Sequence, residues 1–168
     1  MTRLIFVWAL LMGYVRDPEN NGPPLTTDIA IGWLSAVTDG RAVAVRPLMS
    51  FPFSYREAGA AARCSRTVDK PDAVGALVDC IHARESGLIE AMRLARTQPR
   101  RLHLAPGTSG AGKKLKGLAG NAGRKHTWVS GSLEGNGVKY DLLLAVSGND
   151  ETGRRVAAVF IASSVQPR

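Results

Sequence analysis

An α+β domain, with N-terminal helices packed on a curved antiparallel sheet, is predicted for this 168-residue chain by a few features of its sequence. Apolar residues recur at helical spacing through the first two thirds, alternation takes over in the last third, and Asn136-Gly137 separates two of the alternating runs. Helices first and a meander last is the α+β order. The length suits one domain with its own core, and 45% apolar with 21% charged residues describe a globular chain. Residues 1–24 read as an export signal or anchor plus linker, and 25–168 as the single domain.

The opening segment, MTRLIFVWALLMGYVRDPENNGPP, has Arg3, an apolar run from Leu4 to Val15, and then a polar stretch with Pro and Gly. That run is too short to cross a bilayer and suits the apolar region of an export signal, although no A-x-A cleavage site follows it. Thr26 or Thr27 is a natural N-cap, Asp28 suits the positive end of a helix, and Ala30, Trp33, Leu34 and Val37 share one face before Gly40 closes it. The segment RAVAVRPLM runs toward Pro47, which limits its length as helix. In SFPFSYRE, Phe51, Phe53 and Tyr55 alternate with polar neighbours, and Pro52 demotes this strand to an edge or a bulge. Asp69 and Pro71 open an amphipathic helix with Val74, Leu77, Val78 and Ile81 on one face. Ser86 caps another through Leu88, Ile89, Met92 and Ala95, ending before Pro99.

RLHLA is a short strand, and residues from His126 onward form long strands joined at Asn136-Gly137 and around Asn149 to Gly153. Along the middle strand Val138, Tyr140, Leu142, Leu144 and Val146 make one apolar face. Leu143 and Ala145 make the other apolar too, so both faces are expected to be covered, one by helices and one by a partner or a further element.

Charge and cysteine set the compartment and the partners. No acid occurs between Glu90 and Glu134, an interval holding Arg93, Arg96, Arg100, Arg101, Lys113, Lys114, Lys116, Arg124 and Lys125. These positives exceed the net charge of +8, so the basicity is a single patch and a possible polyanion contact. Only Trp128 borders it, too little aromatic interleaving for a stacking platform, and no specific DNA recognition is predicted. Cys64 and Cys80 are expected to pair in an oxidising setting, closing a loop at a gain of roughly 3 kcal/mol.

Several chemistries are excluded by spacing. Gly107, Gly112 and Lys113 match G-x-x-x-x-G-K, but Lys114 stands where Ser or Thr would hold magnesium, and a glycine-broken segment follows instead of a helix. There is no C-x-x-C, His82, His103 and His126 have no metal-ligand spacing, and G-x-S-x-G does not occur. Neither a metal nor a cofactor is expected.

The stretches WLSAVTDGRAVAVRPLMSFPFSY and GVKYDLLLAVSGNDETGRRVAAVFI, in their order within residues 25–165, resemble the nuclear transport factor 2-like superfamily, which includes ketosteroid isomerases and polyketide cyclases. The resemblance implies a cone-shaped fold with a pocket between curled sheet and helices, for which Tyr55, Tyr140, Trp33 and Trp128 are the candidate lining residues. It implies as leading function a non-catalytic, exported or envelope-associated domain binding a small apolar ligand or a protein partner. A homodimer through the second sheet face is expected as well. The enzymatic alternative is a cofactor-independent isomerase, cyclase or hydrolase using Asp141 and Tyr140; the other is a polyanion-binding module through residues 93–125.

Overall fold

A computed structural model describes residues 26–83, 86–97, 102–107, 126–149 and 152–166. The segment 1–24, expected to be an export signal or anchor plus linker, and the basic residues Arg100, Arg101, Lys113, Lys114, Lys116, Arg124 and Lys125 lie outside these.

Helix α1, Thr26–Thr38, buries Ala30, Trp33, Leu34 and Val37, the predicted face. It ends in a Schellman arrangement: Gly40, at φ 68°, donates its N–H to Val37 O (2.9 Å), and Arg41 donates to Ala36 O (3.1 Å). A short helix α2, Ala42–Val45, tightens into a 3-10 turn at Arg46–Leu48 where Pro47 ends the α geometry. Strand β1 is Met49–Gly59 and is followed by a three-residue β2, Arg66–Val68, too short to carry a periodic signal. After a 3-10 turn at Pro71–Ala73, α3 spans Val74–Ala83 and buries Val74, Leu77, Val78 and Ile81. Helix α4, Gly87–Thr97, is capped by Ser86, whose Oγ accepts the Ile89 N–H at 3.4 Å. Strands β3 (His103–Pro106), β4 (Thr127–Gly135), β5 (Val138–Ser147) and β6 (Arg155–Val165) complete the domain.

The sheet order is β2-β1-β6-β5-β4-β3. From β3 to β6 it is the expected antiparallel meander, with Asn136 (φ 54°) and Gly137 (φ 75°) forming the mirror-image turn between β4 and β5. Strand β1 pairs with β6 in parallel, Tyr55 opposite Val159, which makes the sheet mixed. Alternation within a strand carries no information about the direction of a partner so far along the chain. Strand β1 lies between β2 and β6, but the β2 pairing begins only at Phe53 and the β1–β6 register shifts between Met49 and Ser54, around Pro52. The shift is what admits a residue without a ladder donor.

Two apolar clusters flank the sheet. The helix side holds the main core, with Val138, Tyr140, Leu142, Leu144 and Val146 of β5 facing the helices. On the other side Trp128, Leu143, Ala145, Ala158 and Phe160 cluster, and Leu143 is fully buried within the single chain, so its burial needs no second copy. Cys64 and Cys80 are bridged at a Cα–Cα distance of 5.9 Å, tying the segment after β1 to α3.

Candidate functional site

The residues expected to line one pocket are dispersed. Trp33 and Tyr55 are fully buried, and the Trp33 ring stacks on Phe53 (centroids 5.6 Å apart) and on Tyr55 (6.5 Å). The space between α1 and the sheet at this level is therefore filled by aromatic rings, not left hollow. Trp128 belongs to the cluster on the opposite sheet face and shares nothing with them. Only Tyr140, of the expected four, reaches a recess. Asp141 points away from Tyr140, and Lys139 Nζ lies 3.6 Å from its Oδ1 along the same strand. Tyr140 and Asp141 thus do not form one acid–base site, because neighbouring residues of a strand face opposite ways.

The Tyr140 recess has a volume of about 480 Å³ and lies between α4 and the β4–β5 hairpin. Glu90, Arg93, Leu94 and Thr97 come from one helical face, at spacings of three, four and seven, and Val138 and Tyr140 from one strand face. Leu94 can approach because Gly135 has no side chain: a Cβ there would stand 2.9 Å from Leu94 Cδ2. The Tyr140 hydroxyl donates to Glu90 Oε2 at 2.7 Å, a charge-assisted bond between residues fifty positions apart. Burial foremost, then the Glu90 carboxylate, pushes the Tyr140 phenol above the ordinary tyrosine range, so it stays a neutral donor. Sequence reading missed Glu90; its signal was the helical register with Leu94 and Thr97 opposite an apolar strand face.

Glu57 is the other carboxylate the sequence did not single out. It accepts the Tyr55 hydroxyl (2.5 Å) and the backbone N–H groups of Arg63 (2.6 Å) and Cys64 (3.0 Å). Burial, followed by the Glu57 charge, raises the Tyr55 phenol well above its usual value. Every one of these partners is structural, holding the disulfide-bearing segment against β1. Glu57 is occupied as an anchor rather than poised as a base.

His82 Nε2 lies 2.7 Å from Val37 O, joining α3 to the end of α1. Arg96 donates to Asp39 Oδ1 at 2.8 Å, an exposed pair worth little to stability. Among the described residues no group of three or more His, Cys, Asp and Glu is placed to hold a metal, and no helix is long and apolar enough to cross a membrane.

No family model matches the chain, and no curated protein does. Among solved structures it is similar to a ketosteroid isomerase-like protein from Erwinia carotovora atroseptica, at 11% identity over 86% of this chain and 97% of that one, TM-score 0.42. A cystatin-like fold protein from Burkholderia xenovorans matches at 11% identity over 84% of this chain and 90% of that one, TM-score 0.41. An NTF-2 like protein of unknown function from Silicibacter pomeroyi matches at 14% identity over 82% and 92%, TM-score 0.39. The chemistry of the recess rests on this chain's own side chains.

Proposed function

We propose that this domain is a non-catalytic binding module whose ligand is a small molecule with an apolar body and a hydrogen-bond-donating group, held between α4 and the β4–β5 hairpin. The observation that carries this is the Tyr140–Glu90 pair, 2.7 Å apart, set beside Leu94 and Val138 in the same recess. The Glu90 carboxylate can accept a hydrogen bond from a ligand donor, while the Leu94 and Val138 side chains reward each square ångström of hydrocarbon they cover by roughly 25 cal/mol. Trp33, Phe53 and Tyr55 are fully buried in the interior, so the recess at Tyr140 is where the ligand is placed. The enzymatic alternative would draw on the same pair, with Glu90 in the place proposed for Asp141.

The test uses N-phenyl-1-naphthylamine, an uncharged apolar fluorophore with one N–H. Its emission is expected to rise on binding the native protein, to need about fivefold more protein with Glu90→Gln, and to stay flat with Val138→Arg, which fills the recess. No rise with the native chain, or an undiminished rise with a folded Val138→Arg protein, rules the site out.

The domain works outside the cytoplasm on this reading, and the Cys64–Cys80 bridge supports an oxidising compartment. The mature protein is expected either to begin beyond Val15 or to remain membrane-bound in its native cell. A soluble cytoplasmic product still beginning at Met1, by N-terminal sequencing, would count against export.

A further inference from the structure

A second recess, about 530 Å³, lies at the other end of β1 and is lined by Arg46, Pro47, Met49, Ser50, Phe51, Pro71 and Arg155. Its two cations come from distant parts of the chain. Arg46 opens the 3-10 turn before β1, and the register Met49 opposite Val156 brings Arg155, the first residue of β6, beside it. Both side chains are exposed and, among the described residues, neither guanidinium is engaged by a carboxylate. Among the described residues no acid lines the recess; Asp72, in the same 3-10 turn as Pro71, is not part of its wall. Beside the cations the wall holds Ser50 and an apolar part made by Met49, Phe51 and the rings of Pro47 and Pro71.

We infer that this recess binds a small amphipathic carboxylate, its head held by Arg46 and Arg155 and its hydrocarbon laid on Phe51 and the prolines. The guanidinium fork matches a planar carboxylate and, being weakly hydrated, gives up water more readily than an ammonium would. An inorganic anion would use the charges and leave the apolar wall uncovered; an alcohol of the same chain would do the reverse. Only a molecule carrying both parts satisfies both halves of the wall. The recess between α4 and the β4–β5 hairpin differs in carrying a carboxylate, Glu90, beside its one cation, Arg93.

The experiment is calorimetric titration of the full chain with decanoate, decanol and inorganic phosphate below the micelle-forming range. Decanoate is expected to bind more tightly than either of the others, by about tenfold. With Arg46→Gln/Arg155→Gln its affinity is expected to fall about tenfold while the thermal midpoint stays put, since both arginines are exposed. Glu90→Gln and Val138→Arg are expected to leave the decanoate titration unchanged, so failure here is distinguishable from failure of the fluorophore site. Equal decanoate binding by the arginine variant, phosphate binding as tight as decanoate, or loss of decanoate binding in Val138→Arg overturns the assignment.

Discussion

Gly59→Ala is expected to destabilise the domain by about 3–5 kcal/mol, at the upper end of what single substitutions do. Gly59 ends β1 at φ 88°, and a Cβ there would stand 1.8 Å from the carbonyl oxygen of Ser163 and 2.9 Å from its carbon. The obstacle is backbone, and it is fastened. Ser163 O accepts the Ala60 N–H (3.3 Å), and Ser163 Oγ accepts the Ala61 N–H (2.7 Å) and donates to Ala58 O (3.3 Å). Making room would part the end of the parallel β1–β6 ladder. Gly153→Ala is the control: its φ is 75° but a Cβ would meet nothing within 4 Å, so only the left-handed strain of about 1–2 kcal/mol applies. Urea unfolding of both variants decides it; a Gly59→Ala protein within about 1 kcal/mol of the parent would contradict the parallel pairing at this point.

Trp33→Ala is expected to cost about 3–5 kcal/mol as well, through a cavity rather than a clash. The Trp33 side chain is fully buried between α1 and the sheet, stacked on Phe53 and Tyr55. If it lined an open ligand cavity instead, truncation would remove little packing and cost about 1 kcal/mol or less. Trp33→Phe refines the test. Trp33 Nε1 is buried with no hydrogen-bond partner among the described residues, so phenylalanine deletes an unsatisfied donor while keeping a ring against Phe53, and its loss is expected to be the smaller one. A Trp33→Phe protein as unstable as Trp33→Ala would mean that the indole nitrogen has a partner in solution.

Legibility in the sequence followed distance along the chain. The faces of α1 and α3, the Ser86 cap and the Asn136-Gly137 turn all depend on residues within a few positions of one another, and each is where the spacing put it. Trp33, Tyr55 and Tyr140 were equally legible as inward residues, but inward has two meanings. Trp33 and Tyr55 fill the interior, whereas Tyr140 stops at a recess, and only the positions of α1 and α4 over the sheet distinguish them. Glu90 escaped notice because a carboxylate on a helix is ordinarily a solvated residue; its meaning comes from Tyr140 lying opposite. Arg46 and Arg155 were invisible as a pair for the same reason, being joined by a strand register and by nothing local.

By itself, then, the amino-acid order determined the helices and long strands, most of their buried faces, the α+β arrangement and the pairing of Cys64 with Cys80, since periodicity, caps, turn chemistry and cysteine count are short-range or compositional. The parallel closure of β1 on β6, the filled interior, and the two recesses with their different polar groups were decided only in three dimensions. Their physical reason is common to all: side chains far apart in sequence acquire chemistry together only after chain entropy has been spent to bring them into contact.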